Sequence, residues 1–330
     1  MTLLPSGAVV SPARAFSAGH HLWVVLLFLA AFPGVSCRQS APEDSRREEE
    51  AGPETEPPFS LMVTDVGFST PESVLHDPEA DVYLVSNIHG APAERDGNGF
   101  ISRVSPDGRV LDLKWIDGTL PGVTLNAPKG MAFLGDTLFV TDLDCLRRFH
   151  RRTGEPLQEL CLENAYFLND LATSPQGDLY FTDSGSTEGP GAVYLLRSGA
   201  DVPQRVTLAD GTVLEGEGLG APNGIFADRR GLYVATFGSG ELFRITPMGE
   251  RLQLLFPSKM ALDGLLSLEE RGFLFSSWGD SAVYWIHADG RVAPLVENVE
   301  APADIGFDAT RNRVLIPLFR EDALRFREVR

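Results

Sequence analysis

Six short segments of this chain share one pattern, and a variable residue inside each of them carries most of the chemistry. Each segment begins with proline or leucine, continues with the variable residue, and usually ends with glycine or aspartate. The variable residues in chain order are Glu72, Lys129, Asn169, Asn223, Asp263 and Ala303. Carboxylate and carboxamide oxygens are the ligands that calcium and magnesium prefer, and they suit zinc poorly. If the fold brings these residues together, they predict a divalent-cation site.

A second interpretation of the same residues needs no metal. The carboxylates of Glu72 and Asp263 would repel each other at close range, and Lys129 could neutralise them in a buried ion-pair cluster. Paired charges are the usual solution when charged groups are buried. Both interpretations stay open at the level of sequence.

An apolar strand pattern follows each segment and indicates which elements must position the variable residues. Equivalent positions in these strands are Tyr83, Phe139, Tyr180, Tyr233, Leu274 and Leu315, at spacings of 56, 41, 53, 41 and 41 residues. Hairpin turns containing Asp and Gly, such as the one at residues 105–108, separate the strands. A period near forty residues with several short strands per unit is typical of a β-propeller.

The pattern predicts an all-β, six-bladed β-propeller with four-stranded blades over residues 59–330. The last unit, residues 301–330, has room for only three strands, whereas an additional strand pattern at residues 60–68 precedes the first unit. We expect this N-terminal strand to complete the sixth blade, because closure removes an open sheet edge. Inner strands of a propeller all start at the same end of the central channel, so the variable residues should form a ring around one mouth.

Four of the six segments resemble the gluconolactonase, regucalcin and senescence-marker-protein family of metal-dependent lactone hydrolases. The matching stretches are Pro71-Glu72 with His76-Asp77-Pro78-Glu79, Asn169-Asp170 with Ser174-Pro175-Gln176-Gly177, Pro222-Asn223-Gly224, and Leu262-Asp263-Gly264. The resemblance implies that Glu72, Asn223 and Asp263 hold a divalent cation, with Asn169 either ligating it or contacting the substrate. Calcium is the expected ion, with magnesium, manganese and zinc left open.

One position departs from that family. Many sugar-lactone hydrolases have a substrate-contacting arginine two residues before the asparagine of blade three, and Phe167 occupies that position here. The motif LYFTD at residues 179–183 also resembles strictosidine-synthase-like and low-density-lipoprotein-receptor-type propellers, some of which bind without catalysing. The prediction is therefore a hydrolase of lactones or related esters, with a non-catalytic binding propeller as the alternative.

In a hydrolase, a metal ion would polarise the ester carbonyl and lower the pKa of a bound water molecule. Asp263 is then the candidate general base. Lys129 would stabilise the developing oxyanion or anchor a substrate carboxylate. Asp170 and Asp304, each next to a variable residue, would orient the ligands or cap turns.

Candidate contacts to a small-molecule substrate come from the channel mouth and the loops near it. Two insertions, residues 87–99 and 183–191, follow the second strands of blades one and three and should emerge on the side of the ring. The candidate contact residues are Phe167, Asn169, His89, Phe237 and Trp278. The aromatic residues among them could equally pack in the core or at the rim.

The N-terminal residues differ in composition from the repeats. Residues 1–37 resemble a lipoprotein-type export signal, with an apolar stretch at 22–32 and a lipobox-like Gly34-Val35-Ser36-Cys37. The composition of residues 38–58, rich in Pro and Glu, predicts a disordered acidic tether. We expect an exported monomer, lipidated at Cys37 and held in the periplasm or cell envelope, or otherwise secreted. The net charge of -18 argues against nucleic acid as a partner and against membrane contact other than through a lipid anchor at Cys37.

Two cysteines flank a turn in blade two. A hairpin centred on Thr153 places Cys145 directly opposite Cys161, within reach of a disulfide bond. Export would provide the oxidising compartment in which such a bond persists. The alternative is a pair of buried free thiols.

Overall fold

The computed structural model describes residues 58–256 and 261–330. The predicted export signal at 1–37, with Cys37, lies outside the described residues. So does the predicted tether at 38–58, apart from Pro58. No helix among the described residues is both long and apolar enough to cross a membrane.

The described residues form six antiparallel sheets of four strands, which confirms the predicted six-bladed propeller. Blade one comprises β2 (Pro71–Asp77), β3 (Val82–Asn87), β4 (Phe100–Val104) and β5 (Val110–Asp117). Blade two comprises β6 (Pro128–Leu134), β7 (Thr137–Asp142), β8 (Cys145–His150) and β9 (Leu160–Cys161). Blade three comprises β10 (Leu168–Thr173), β11 (Leu179–Asp183), β12 (Ala192–Leu196) and β13 (Gln204–Arg205). Short 3-10 helices lie at Glu217–Leu219 and Glu269–Arg271.

The other three blades complete the ring. Blade four comprises β14 (Pro222–Asp228), β15 (Gly231–Thr236), β16 (Leu242–Ile245) and β17 (Arg251–Leu255). Blade five comprises β18 (Leu262–Ser267), β19 (Gly272–Ser277), β20 (Ala282–His287) and β21 (Val292–Glu297). Blade six comprises β22 (Gly306–Asp308), β23 (Arg313–Leu318), β24 (Ala323–Glu328) and β1 (Ser60–Val63).

The N-terminal strand closes blade six, as its pattern predicts. Strand β1 pairs antiparallel with β24, with Ser60 opposite Arg327 and Val63 opposite Leu324. This pairing covers the edge of β24 that would otherwise face solvent, and it joins the two ends of the described chain.

The hydrophobic core lies between neighbouring blades. Side chains alternate along each strand, so each sheet presents apolar residues to the blade on either side. Between blades one and two, for example, Val82 and Ile101 belong to one buried cluster with Leu138 and Phe149. Comparable clusters lie at the other five blade interfaces. Each blade is therefore held by its two neighbours.

A bulge at the start of the inner strands directs the variable residues. In blades one to five the register shifts immediately after the opening Pro or Leu. Bulges of this kind re-aim side chains and are frequent near active sites. Hydroxyl groups of the second strands support the bulge: Thr182 Oγ1 accepts from the backbone N–H of Asp170 at 3.1 Å and donates to the carbonyl of Asn223 at 2.6 Å. The bulge of one blade is thus tied to the ring residue of the next.

Glycine follows the variable residue where adjacent blades approach most closely. A Cβ on Gly224 would lie 2.1 Å from the carbonyl oxygen of Asp263, and one on Gly264 would lie 2.4 Å from the amide nitrogen of Ile305. A side chain at either position would displace the backbone of the next blade, which explains the glycine in the repeated pattern.

Blade two contains the disulfide that the hairpin register predicts. Cys145 and Cys161 are directly opposed on β8 and β9, and their sulfur atoms are 2.02 Å apart. The bond ties the short outermost strand of the blade to its neighbour. It is not among the residues that line the channel mouth.

Candidate functional site

The variable residues of the six repeats are all buried at one mouth of the channel. Their exposed fractions do not exceed 5%. Glu72, Lys129, Asn169 and Asn223 line one cavity at this mouth, and Asp263 lies close enough for its charge to act on Glu72. Ala303 completes the ring without a polar group. The structure therefore brings together the residues that the repeat pattern predicts to converge.

Four oxygen atoms in this ring have no hydrogen-bond partner among the described residues. They are Glu72 Oε2, Asn169 Oδ1, Asn223 Oδ1 and Asp263 Oδ1. A buried polar atom without a partner costs about 1–3 kcal/mol, so four of them at one place indicate a missing positively charged or proton-donating group. Two carboxylates and two carboxamides form an oxygen set that fits calcium or magnesium. These residues therefore fit the divalent cation that the family resemblance implies.

A hydrogen-bond chain sets the orientation of the Asn169 carboxamide. Its Nδ2 donates to Ser184 Oγ at 3.2 Å, and Ser184 Oγ donates to the carbonyl of Pro222 at 2.7 Å. With the nitrogen engaged in this way, Oδ1 is the atom left for a ligand.

The carboxylates of the ring are electrostatically unfavourable without a cation. Burial raises the pKa of Glu72 well above its usual value, and the charges of Asp263 and Asp304 raise it further, whereas Lys129 lowers it. Burial and the charge of Asp304 likewise raise the pKa of Asp263. The indole N–H of Trp278 lies near enough to oppose this shift, although its geometry falls short of a hydrogen bond. A bound cation would stabilise the ionised form of both groups.

Lys129 does not form the ion-pair cluster of the metal-free interpretation. Its Nζ donates to the carbonyl of Ala127 at 2.9 Å and lies 4.3 Å from the centre of the Phe167 ring. Among the described residues, no ion pair within 4.0 Å joins Lys129 to Glu72 or Asp263. Burial lowers the pKa of Lys129 to about 8, against the opposing effect of the Glu72 and Asp142 charges. The ammonium group is thus held beside the ring without pairing directly with its carboxylates.

Asp170 and Asp304 join neighbouring blades beside the ring. Asp170 Oδ2 accepts from the backbone N–H of Ile225 in blade four at 2.8 Å. Asp304 Oδ2 accepts from Ser73 Oγ in blade one at 2.5 Å. Neither lines the cavity, and both lie next to variable residues, so they fix the backbone from which the ring side chains project. Burial raises the pKa of Asp304 to about 7.

A cavity of about 300 Å³ lies over the ring. Its walls are mainly apolar and include four aromatic residues, Phe167, Phe237, Trp278 and Phe319. The Phe237 and Trp278 rings meet edge to face with centroids 5.3 Å apart, and those of Trp278 and Phe319 are 5.0 Å apart. Both insertions contribute to the lining, with Ile88 and Pro92 from the first and Ser184 and Gly185 from the second. A larger groove of about 520 Å³ between blades three and four contains none of the ring residues.

The structure separates the predicted substrate contacts into two groups. Phe167, Asn169, Phe237 and Trp278 line the cavity. His89 does not: its side chain is exposed in the first insertion, with Nδ1 3.3 Å from the carbonyl oxygen of Asn98. The described residues also contain no group of three or more His, Cys, Asp or Glu side chains arranged to hold a metal. The candidate centre instead combines two carboxylates with two carboxamides.

Phe319 belongs to the cavity although sequence reasoning missed it. It follows the second strand of blade six directly, as Phe237 and Trp278 follow those of blades four and five. Ile88 and Ser184 hold the same position in blades one and three. An alignment of the six repeats at the residue directly after the second strand would have identified all five of these cavity residues.

No protein-family profile and no curated protein matches this chain. Solved structures do match its fold. A gluconolactonase from Xanthomonas campestris is 18% identical, with a TM-score of 0.62 over 82% of this chain and 89% of that protein. A calcium-binding protein, regucalcin, from Agrobacterium tumefaciens is 18% identical, with a TM-score of 0.57 over 82% and 94%. The chain shares its propeller fold with these proteins.

A streptogramin B lyase also matches, at 16% identity and a TM-score of 0.56 over 82% of this chain and 98% of that protein. Because one propeller fold is shared by a lactonase, a calcium-binding protein and a lyase, the likeness establishes the fold and leaves the activity to be argued from the site.

Proposed function

We propose that this protein is a divalent-metal-dependent hydrolase of lactones or related esters. The observation that carries the proposal is the set of four unpartnered, buried oxygen atoms beneath a mainly apolar cavity. The fold shared with a gluconolactonase and with a calcium-binding protein supports it.

Glu72, Asn223 and Asp263 would hold the ion, together with Asn169. Calcium suits this all-oxygen set best, and magnesium and manganese are further candidates, with zinc the least favoured. When bound, such an ion polarises an ester carbonyl and lowers the pKa of a water molecule.

The protein's own residues supply the remaining chemistry. Asp263 would take a proton from the attacking water, because its carboxylate lies in the ring with an unpartnered oxygen atom. Lys129 provides a fixed positive charge beside the ring, where it stabilises negative charge on the substrate oxygen. The apolar walls exclude bulk water, which strengthens both effects.

Metal analysis of the purified protein, combined with a panel of lactones and aryl esters, tests the proposal. We expect about one ion per chain, turnover that is lost on chelation, and recovery when calcium is restored. Asp289→Asn is a matched control, since Asp289 lies in an exposed outer turn of the same blade as Asp263 and should leave both readouts unchanged. Metal binding without turnover would favour a non-catalytic ligand-binding propeller, and the absence of both would refute the proposal.

We further propose that the protein is exported and lipidated at Cys37. The support is the lipobox-like sequence at residues 34–37 and a disulfide in blade two that needs an oxidising compartment.

A further inference from the structure

The walls of the cavity over the ring differ chemically from its floor, and this difference bears on the substrate. Resting on the proposed hydrolase function, we propose that the substrate is a small lactone or ester with an aromatic or alkyl group, and not a polyhydroxylated sugar lactone.

Three aromatic residues form one continuous wall. Phe237, Trp278 and Phe319 follow the second strands of blades four, five and six, so they stand side by side around the channel mouth. Each backbone N–H donates to the carbonyl of the residue that precedes the repeated Pro or Leu of its own blade, at 2.9, 3.1 and 3.2 Å. Those acceptor residues are Ala221, Ala261 and Ala301, whose φ angles are 55°, 47° and 47°. Alanine seldom adopts this left-handed conformation, so the packing of the wall must hold it in place.

The opposite side of the cavity is also apolar. Ile88 and Pro92 come from the first insertion, and Phe167 stands over the ammonium group of Lys129 at 4.3 Å. The ring of Phe167 therefore covers one side of Lys129, the only cationic group among the described residues that line the cavity.

Apart from the ring residues, the described polar side chains that line the cavity are Ser184 and Trp278. Ser184 Oγ accepts from Asn169 and donates to the Pro222 carbonyl, so its proton is used. The indole N–H of Trp278 lies near Asp263 at the floor but forms no hydrogen bond there. Of the four unpartnered oxygen atoms of the ring, those of Glu72, Asn169 and Asn223 belong to residues that line the cavity, at its floor. An ester group placed at the floor would find polar partners. The hydroxyl groups around the rest of a sugar ring would instead contact apolar side chains and lack hydrogen-bond partners.

The volume of the cavity also limits the size of the substrate. A volume of about 300 Å³ lies at the lower end of the range for ligand pockets, which corresponds to a substrate of one or two rings. Each hydroxyl group buried without a partner should lower affinity about ten- to a hundredfold. A bicyclic aryl lactone fits these walls, whereas a sugar lactone of similar ring size does not.

A matched pair of six-membered lactones tests the inference. We expect kcat/KM for dihydrocoumarin to exceed that for δ-gluconolactone by about a hundredfold or more, after subtraction of spontaneous hydrolysis. Binding is measured separately by calorimetry with 2-tetralone, in which a methylene group replaces the ring oxygen of dihydrocoumarin and prevents hydrolysis.

Substitutions at Phe319 locate the selectivity. Phe319→Ser should reduce the preference for dihydrocoumarin at least tenfold and weaken 2-tetralone binding, because it places a hydroxyl group in the aromatic wall. Phe319→Leu keeps an apolar wall and should retain the preference within a few-fold. Leu111→Ser, on an exposed outer strand of blade one, controls for general effects of the added hydroxyl group.

The outcomes separate this inference from the proposed function. Turnover of δ-gluconolactone at a rate equal to or above that of dihydrocoumarin would overturn the inference and leave the hydrolase intact. Phe319-dependent binding of 2-tetralone without turnover of either lactone would support the ligand class and refute the hydrolase. Failure to bind 2-tetralone and to hydrolyse either lactone would overturn both.

Discussion

The candidate metal centre predicts that chelation destabilises the parent protein but not Asp263→Asn. Glu72 and Asp263 contribute the two carboxylates among the four unpartnered oxygen atoms of the ring. The substitution keeps the shape of the side chain, removes one of the two negative charges and leaves a neutral amide oxygen, which is a weaker ligand than a carboxylate. It therefore lowers cation affinity enough to leave the site largely empty at the calcium concentration used, without creating a cavity in the buried channel.

The expected shift follows from mass action. An ion present at a hundred times its dissociation constant stabilises the native state by about 2.7 kcal/mol. For a domain of this size, a change of 1 kcal/mol moves Tm by about 2–4 °C, so chelation should lower the Tm of the parent by roughly 5–10 °C. Asp263→Asn should show no comparable shift.

Without metal, Asp263→Asn should be more stable than the parent protein. Burial and the charge of Asp304 raise the pKa of Asp263, so its ionised form is less favourable in the folded protein than in the unfolded chain. At pH 8 in chelator, the neutral amide of Asp263→Asn avoids this penalty. The variant should then melt at a higher temperature than the chelated parent, although it melts at a lower temperature than the calcium-loaded parent.

Thermal unfolding at pH 8, with calcium and with chelator, measures both effects. Asp289→Asn, in an exposed turn of the same blade, should behave as the parent does. A parent Tm that does not respond to chelation, or an equal response in Asp263→Asn, would refute the assignment of Asp263 as a ligand.

Four further predictions concern other groups. In chelator the parent should lose stability as pH rises from about 4 through about 7, because the pKa of Asp304 is about 7 in the folded protein and 3.8 in the unfolded chain, so the folded state binds the proton more tightly. Ser73→Ala removes a hydrogen bond to the ionised carboxylate and should extend the loss of stability to higher pH. A free energy of unfolding that does not change with pH would contradict this prediction. If the Lys129 ammonium group supports turnover, kcat/KM should fall above about pH 8, and Lys129→Met should lose that alkaline limb while keeping its bound ion; loss of the ion would restore the ion-pair interpretation. Cys161→Ser should lower the free energy of unfolding by about 3 kcal/mol in urea titrations, because the disulfide closes a loop with a sequence separation of 16. Alkylation of both cysteines in unreduced exported protein would show that the bond is absent. Cys37→Ser should move the protein from the detergent phase to the aqueous phase in a partition assay, and an aqueous parent would indicate ordinary secretion.

The repeat pattern in the sequence predicted the architecture because its signals are local. Strand alternation, hairpin turns and a period near forty residues each depend on neighbours close in the chain. Repeat equivalence then placed Glu72, Asn169, Asn223 and Asp263 at one end of the channel without any knowledge of tertiary contacts. The opposed positions of Cys145 and Cys161 followed in the same way, since a hairpin fixes its own register.

Tertiary structure alone decided how these side chains are partnered. Asp304 accepts a hydrogen bond from Ser73, 231 residues earlier in the chain, and no local pattern encodes that contact. The stacking of Lys129 on Phe167 and the exclusion of His89 from the cavity likewise depend on how different blades and loops meet. The sequence determines the residue type and its position in the repeat. The packing of neighbouring blades determines the direction of each side chain and which of its atoms have no hydrogen-bond partner.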